Sequence, residues 1–456
     1  MATYQFDGVN RTQLIKYLLS VFVIILCSIH GHAQAPKKLN AVEIHESIKK
    51  LNFLGTVLYL AAHPDDENTR MISYFSNEVH ARTGYLSITR GDGGQNLIGP
   101  EIRELLGVIR TNELLKARAT DGGEQFFTRA NDFGYSKHPD ETLRLWNKEA
   151  VLNDVVKIIR KFRPDIIINR FNAESAGKTH GHHTSSAILS TEAFGLAADP
   201  EYKSNGEAAW APKRLFFNTH WWFYGSQEEF DKVDKSNMIW FDTGVYFPGK
   251  GLSNSEIASL SRSMHKSQGF GSTGTRGSDK EYIELIKGAE LGDSKNVFEG
   301  INTTWTRVEG GAEIQRILLK VEKDFDFSKP SKSIPALLDA FKLISDLDDQ
   351  YWRSYKTKQI KEIIASCAGL YLEGVSEKST ATKNDSLRIN FEVINRSDQK
   401  IILESIKIMP QETVLKVAKV LGNNESYTSE QQIKIGEQMR LTSPYWLDQK
   451  GSLGMY

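Results

Sequence analysis

The run Thr56-Val-Leu-Tyr-Leu-Ala-Ala-His-Pro-Asp-Asp-Glu67 constrains this chain more than any other stretch, because an unbroken apolar segment passes directly into a histidine and three carboxylates. Apolar residues without alternation read as a strand buried on both faces, inside a parallel sheet. The polar residues then stand at the strand's carboxyl end, where open α/β sheets take their ligands. Pro64 fixes one φ, and Asp65, Asp66 and Glu67 sit at the mouth of a helix indicated by Met71, Ile72 and Phe75. Acidic residues there have an ordinary use, capping the first turn and answering the helix dipole. A second polar cluster far downstream, His180-Gly-His-His183, weighs against that use alone.

Further strands are expected at Tyr85–Thr89, Gln125–Thr128, Asp165–Arg170 and Leu215–Thr219, with helices at Ala41–Leu51, Ile102–Ala119, Leu143–Phe162 and Ser185–Phe194 between them. This alternation specifies a Rossmann-like α/β domain with a largely parallel sheet, over residues 36–240. The His63 motif, the glycine-rich loop Arg90–Gln95 and the histidine cluster each follow a strand, so all three fall on one rim. Residues 241–311, polar and glycine-rich, read as an elaborated lobe over that rim, and residues 312–368 as a helical connector. From 369 to 456 short alternating runs such as Leu387–Phe391 and Ile406–Ile408 indicate an Ig-like β-sandwich. The last residues, Gly454-Met-Tyr456, follow a strand-like stretch with no polar tail, the ending a truncated domain has.

Length and charge narrow the function. A chain of 456 residues exceeds one ordinary core. Its 57 basic and 57 acidic residues balance, which argues against a nucleic-acid binder held by bulk charge. Residues 1–35 carry a signal-peptide pattern: Arg11 and Lys16, the apolar run Tyr17–Ile29, then Gly31-His-Ala-Gln-Ala35. The run is short for a membrane span, so a cleaved leader and a secreted or periplasmic protein without a stable membrane anchor are expected, with cleavage after Ala33 or Ala35. Leu26 is bulky where lipidation of Cys27 wants a small residue. Loss of the leader leaves Cys367 as the single cysteine, and no internal disulfide.

A catalytic zinc takes three protein ligands and keeps a position open for water. His63 and Asp66, three apart across Pro64, can face one ion, and a third ligand is available among His180, His182 and His183. Taken alone, three histidines in four residues also fit a solvated loop.

His63-Pro-Asp-Asp-Glu67 with the later His-x-x-His resembles the PIG-L (LmbE-like) family of zinc-dependent N-deacetylases, which act mainly on N-acetylglucosaminyl groups. Arg110-x-x-Glu-Leu114 and Asp132-x-Gly134 add to the resemblance, which covers about residues 55–200. It implies that His63, Asp66 and His183 bind Zn2+, that Asp65 is the general base, and that His180 is the cation steadying the oxyanion. It also implies that Arg110 and Asp132 grip sugar hydroxyls, against the alternative of a surface ion pair. The family commonly has an acidic residue where this chain has His182, a departure that bears on the protonation of His180. Tyr246, Arg262, His265 and Lys266 are candidates to line the cleft, as against solvated loop residues.

The expected function is therefore zinc-dependent hydrolysis of an N-acyl amide on an amino sugar or glycoconjugate. Two rivals are a zinc hydrolase of a non-sugar amide or ester, and a non-catalytic carbohydrate-binding protein. Metal content separates the second rival, and a substrate panel the first.

Overall fold

The apolar run forms β1 (Thr56–Ala61), buried at all six positions. Its side chains divide by parity, Val57, Tyr59 and Ala61 entering one core and Leu58 and Leu60 another. A strand with both faces covered has no room for a charged residue until it ends, which is why the first ionisable polar cluster comes after Ala62. The computed structural model describes residues 38–204, 206–292, 296–409 and 412–456. The expected leader, with Cys27 and its cleavage sites, lies outside the described residues, and among them no helix is long and apolar enough to cross a membrane.

Around β1 stand β2 (Arg82–Thr89), β3 (Glu124–Ala130), β4 (Ile166–Asn169), β5 (Arg214–Thr219) and β6 (Met238–Asp242). Two short strands, β7 (Tyr246–Phe247) and β8 (Leu252–Ser253), pair with each other, and β9 (Lys280–Gly288) follows. The main sheet has seven strands in the order β3-β2-β1-β4-β5-β9-β6. The first five are parallel, and β9 enters antiparallel between β5 and β6. Residues 241–311 thus do two things: β9 completes the sheet, and a helix between β8 and β9 lines the cleft described below.

Helix α1 (Ala41–Asn52) opens on a capping box of Asn40 and Glu43. One sheet face is covered by α2 (Thr69–Asn77), through Met71, Ile72 and Phe75, and by α3 (Glu104–Asp121), through Leu114. The opposite face holds α4 (Pro139–Trp146), α5 (Lys148–Phe162) and α6 (Gly181–Ala198), with Val151, Val155, Ile159 and Leu189 in the core. The single helix expected over Leu143–Phe162 is two. Asn147, at φ 55°, ends α4 and caps α5 by accepting from the Ala150 N–H. Asparagine tolerates that left-handed conformation, so the apolar period continues across a break it does not reveal.

Beyond α7 (Gln227–Lys232) and α8 (Asn254–Arg262), the connector contains α9 (Gly311–Lys323), α10 (Ile334–Ser345) and α11 (Gln350–Cys367). Buried Lys356 of α11 donates to the Lys50 and Phe53 carbonyls at 2.9 and 2.8 Å, tying the connector to the end of α1. The C-terminal region has β10 (Tyr371–Ser376), β11 (Ser386–Ile394), β12 (Ile401–Ile408), β13 (Thr413–Leu421) and β14 (Ser426–Lys434). They form two antiparallel sheets, β10-β11-β14 and β12-β13. The final residues return to β3, where Met455 bridges Ala130 and joins the core beside Trp146.

Candidate active site

The sheet order reverses between β1 and β4, so the loops leaving these neighbours run to opposite faces and open a crevice at their carboxyl ends. The two strands finish level, Leu60 opposite Asn169. His63 follows β1. The chain after β4 leads to α6, whose N-cap is His180 and whose first turn holds His182 and His183. The histidine cluster is therefore a helix start, not a solvated loop.

His63 is shared between two groups of potential ligand atoms, His63–Asp66–His183 and His63–His180–His182, each with its atoms within 4.8 Å of one another. In the first, Asp66 Oδ2 lies 3.0 Å from His63 Nδ1 and Oδ1 lies 3.5 Å from His183 Nε2. His183 stacks on Phe171 with ring centroids 3.9 Å apart, and its Nδ1 faces Thr179 Oγ1 at 3.1 Å, leaving Nε2 toward Asp66. Burial opposes the charge on Asp66, but His183 and His63 hold its carboxyl well below the usual range. Burial likewise opposes protonation of His63, and the Asp66 carboxylate overcomes it, raising the imidazole pKa. Two imidazoles converging on one ionised carboxylate form a donor set suited to a divalent ion. The second group is less accessible, since His182 is fully buried between Phe133 and Trp146.

Capping does not explain the three carboxylates. Asn68 caps α2, accepting from the Arg70 and Met71 N–H groups. Asp65 instead adopts φ 87°, a strained conformation for a non-glycine residue. Three contacts hold it there: its N–H donates to Glu67 at 2.8 Å, its carbonyl accepts from Arg262 at 2.9 Å, and its carboxylate accepts from Arg110 at 2.9 Å. Glu67 is in turn buried against His265 at 2.8 Å and Arg118 at 3.3 Å. Burial raises the Asp65 carboxyl to about 6 despite the opposing pull of Arg110. A carboxyl in that range can take and return a proton near neutral pH.

His180 differs from the cation the resemblance implies. Burial, then the neighbouring His63 and His183, lower it to about 4, so at pH 7 the ring is neutral. Its Nδ1 accepts from the His182 N–H at 3.0 Å, which leaves the proton on Nε2 as a donor.

A cavity of about 490 Å³ adjoins these groups, lined by Asp65, Asp66, His183, Arg170, Trp222 and Arg262 among others. Arg110 and Asp132 are not part of that lining. Arg110 is buried under Asp65 with further bonds to the Pro64 and Gly91 carbonyls. Gly91 makes this possible, since at its φ of 70° a Cβ would lie 2.4 Å from the guanidinium. Asp132 turns back on its own loop, accepting from the Gly134 N–H at 2.9 Å. Of the lobe candidates, Arg262 lines the cavity, His265 is buried on Glu67, and Tyr246 and Lys266 are exposed away from it. Arg90 packs against Phe127, Tyr445 and Tyr456. Sequence reasoning missed Arg170 as a lining residue, although it stands at the end of β4 where the same strand-end logic applies.

Residues 58–194 match the PIG-L family, described as GlcNAc-PI de-N-acetylase. The resemblance carried by the His63 and His183 motifs thus holds over this segment. A 1D-myo-inositol 2-acetamido-2-deoxy-alpha-D-glucopyranoside deacetylase of Geodermatophilus obscurus is 28% identical over 180 residues, 35% of this chain and 60% of its own length. The chain spans less than two thirds of the length of such relatives. Among solved structures, GalB, the 4-carboxy-2-hydroxymuconate hydratase of Pseudomonas putida KT2440, aligns at TM-score 0.35 and 14% identity, over 52% of this chain and 98% of its own. The N,N'-diacetylchitobiose deacetylase of Pyrococcus horikoshii aligns at TM-score 0.33 and 16% identity, over 57% and 81%.

Proposed function

We propose that this chain, through its PIG-L segment, hydrolyses an N-acyl amide, an N-acetyl group foremost, on an amino sugar or glycoconjugate. The observation that carries the reading is the convergence of His63, Asp66 and His183 on one point at the sheet's switch, with Asp65 strapped beside it. The naming of a relative as a deacetylase of an acetamido sugar supports the substrate class.

His63, Asp66 and His183 would hold a divalent ion such as zinc, which when bound would supply a water acidic enough to lose its proton near neutral pH. Asp65 accepts the proton of the attacking water. His180 Nε2–H donates to the carbonyl oxygen as negative charge grows on it, a role a neutral imidazole fills. Asp65, now protonated, returns its proton to the departing amine. Arg110 keeps the Asp65 carboxylate aimed from beneath, and Asp132 is held on its own loop, so this reading gives neither of them the grip on sugar hydroxyls that the resemblance implies.

The test is acetate release from N-acetylglucosamine conjugates by protein loaded with zinc and by the same protein after chelation. Release that depends on the metal is expected. Full zinc occupancy with no release from any amino-sugar conjugate would transfer the site to a different amide or ester. Export to the periplasm or outside the cell is likewise proposed, from the residue 1–35 pattern. Mass spectrometry of protein from its native host should find an unlipidated start near Gln34 or Pro36, and an acylated Cys27 at the first position would overturn the cleavage site and the anchor-free assignment.

A further inference from the structure

Ion pairing around the cavity does not balance. Each carboxylate lining it has a cationic or imidazole partner: Asp65 has Arg110, Asp66 has His63 and His183, Glu67 has His265 and Arg118, and Glu281 has Arg70 at 2.6 Å. Arg70 is also paired with Asp279 at 2.7 Å. Two lining guanidiniums, Arg170 and Arg262, pair with no carboxylate among the described residues.

Both are nonetheless fixed in place. Arg262 stacks on Phe270, its Cζ 4.0 Å from the ring centroid, and spends one nitrogen on the Asp65 carbonyl. Arg170 lies 5.5 Å from the Phe223 centroid and makes one long bond, 3.4 Å, to Asn218 Oδ1. That oxygen already accepts from Tyr59 at 2.8 Å and Asn68 at 3.0 Å, so Arg170 is a weak third donor. A guanidinium has five N–H donors, and most of those on each residue are left for a ligand. Both line the cavity that the candidate metal group adjoins, Arg170 next in sequence to the Phe171 that stacks on His183, and Arg262 bonded to the Asp65 backbone.

Resting on the deacetylase reading, we propose that the substrate carries an anionic group, phosphate or carboxylate, beside its N-acylated sugar, and that Arg170 and Arg262 receive it. Arginine's planar fork matches either anion, and two half-buried, preoriented guanidiniums are placed at little entropic cost. A neutral glycan would leave both charges on the cavity wall without partners.

The experiment is calorimetry on the full chain with N-acetylglucosamine 1-phosphate, N-acetylmuramic acid and neutral methyl N-acetylglucosaminide, for wild type, Arg170→Gln, Arg262→Gln and the two Arg→Lys variants. The readout is the affinity ratio of anionic to neutral sugar, because a merely structural role lowers both equally. Wild type should favour at least one anionic sugar by about 10- to 100-fold, the range for charge-assisted hydrogen bonds. The phosphate and carboxylate arms decide which anion. The ratio should collapse toward one in a Gln variant, recover in part with Lys, and shrink in high salt. A wild-type ratio near one, no binding of any of the three sugars, or a ratio unchanged in both Gln variants overturns the proposal. If anionic sugars bind through the arginines but zinc-loaded protein releases acetate from no amino-sugar conjugate, anion recognition by this pair stands and the deacetylase reading falls. Metal-dependent acetate release with a ratio near one gives the reverse.

Discussion

His63 Nε2 and His182 Nδ1 lie 2.9 Å apart, a buried imidazole pair behind the candidate metal group. Burial and the nearby histidines push His182 far below the usual imidazole range, so it stays neutral and accepts at Nδ1. His63 therefore presents Nδ1 to Asp66 while its Nε2–H is held from behind, work commonly given to a carboxylate. The proton on His182 Nε2 finds no hydrogen-bond partner and faces the aromatic rings of Phe133 and Trp146.

Removing that acceptor should loosen the metal. His182→Phe is expected to weaken zinc affinity by about 10–100-fold, the range for loss of such a partner. His182→Asn, whose side-chain oxygen can still accept, should lose less. Competition against a chromophoric chelator measures both, and equal affinity in wild type and the Phe variant would show that His63 needs no support from His182.

The two ligand groups sharing His63 can be told apart by stoichiometry. His183→Ala should lower bound zinc sharply, while His180→Ala should leave it largely intact, since a three-ligand site depends on every member. Elemental analysis decides. The opposite pattern would move the ion to His63, His180 and His182.

Asp65 and Asp66 are adjacent but differ in what they touch. Asp66 meets two imidazoles, whereas Asp65 meets Arg110 and is raised to about 6. Asp65→Asn should keep zinc and lose about 10²–10⁴-fold in turnover. Near-wild-type turnover at matched metal content would assign the proton transfer to another group.

Glu67 predicts an acid limb of stability. Burial raises its carboxyl, but His265 and Arg118 outweigh burial and bring it down to about 2 from 4.5. Because the folded value is depressed, the contribution is present above about pH 4.5 and is lost as pH falls toward 2, on the order of 3 kcal/mol. Denaturant unfolding across that window should show a shallower pH dependence in Glu67→Gln than in wild type. Parallel slopes would mean that Glu67 keeps an ordinary pKa in the fold.

Local sequence carried the elements that local physics controls. The doubly buried β1 and the parallel α/β alternation follow from apolar period, and the strand-end position of His63 follows from the first charge after that run. The break at Asn147 was invisible because the apolar period runs through it. The C-terminal strands were legible as short alternating runs, whereas the joining of β9 to β5 was not, since pairing across that distance leaves no local pattern.

By itself, then, the sequence determined the fold class and the residue types gathered at one rim, because burial on both faces of a strand permits charge only at its end. Tertiary structure alone decided how those residues divide their work. It turned Arg110 onto Asp65, made His182 a support for His63, and left Arg170 and Arg262 without carboxylate partners among the described residues. Each of these outcomes depends on which groups from distant segments come within about 3 Å of one another out of water. Hydrogen-bond direction and protonation are set by those neighbours, and chain spacing does not record them.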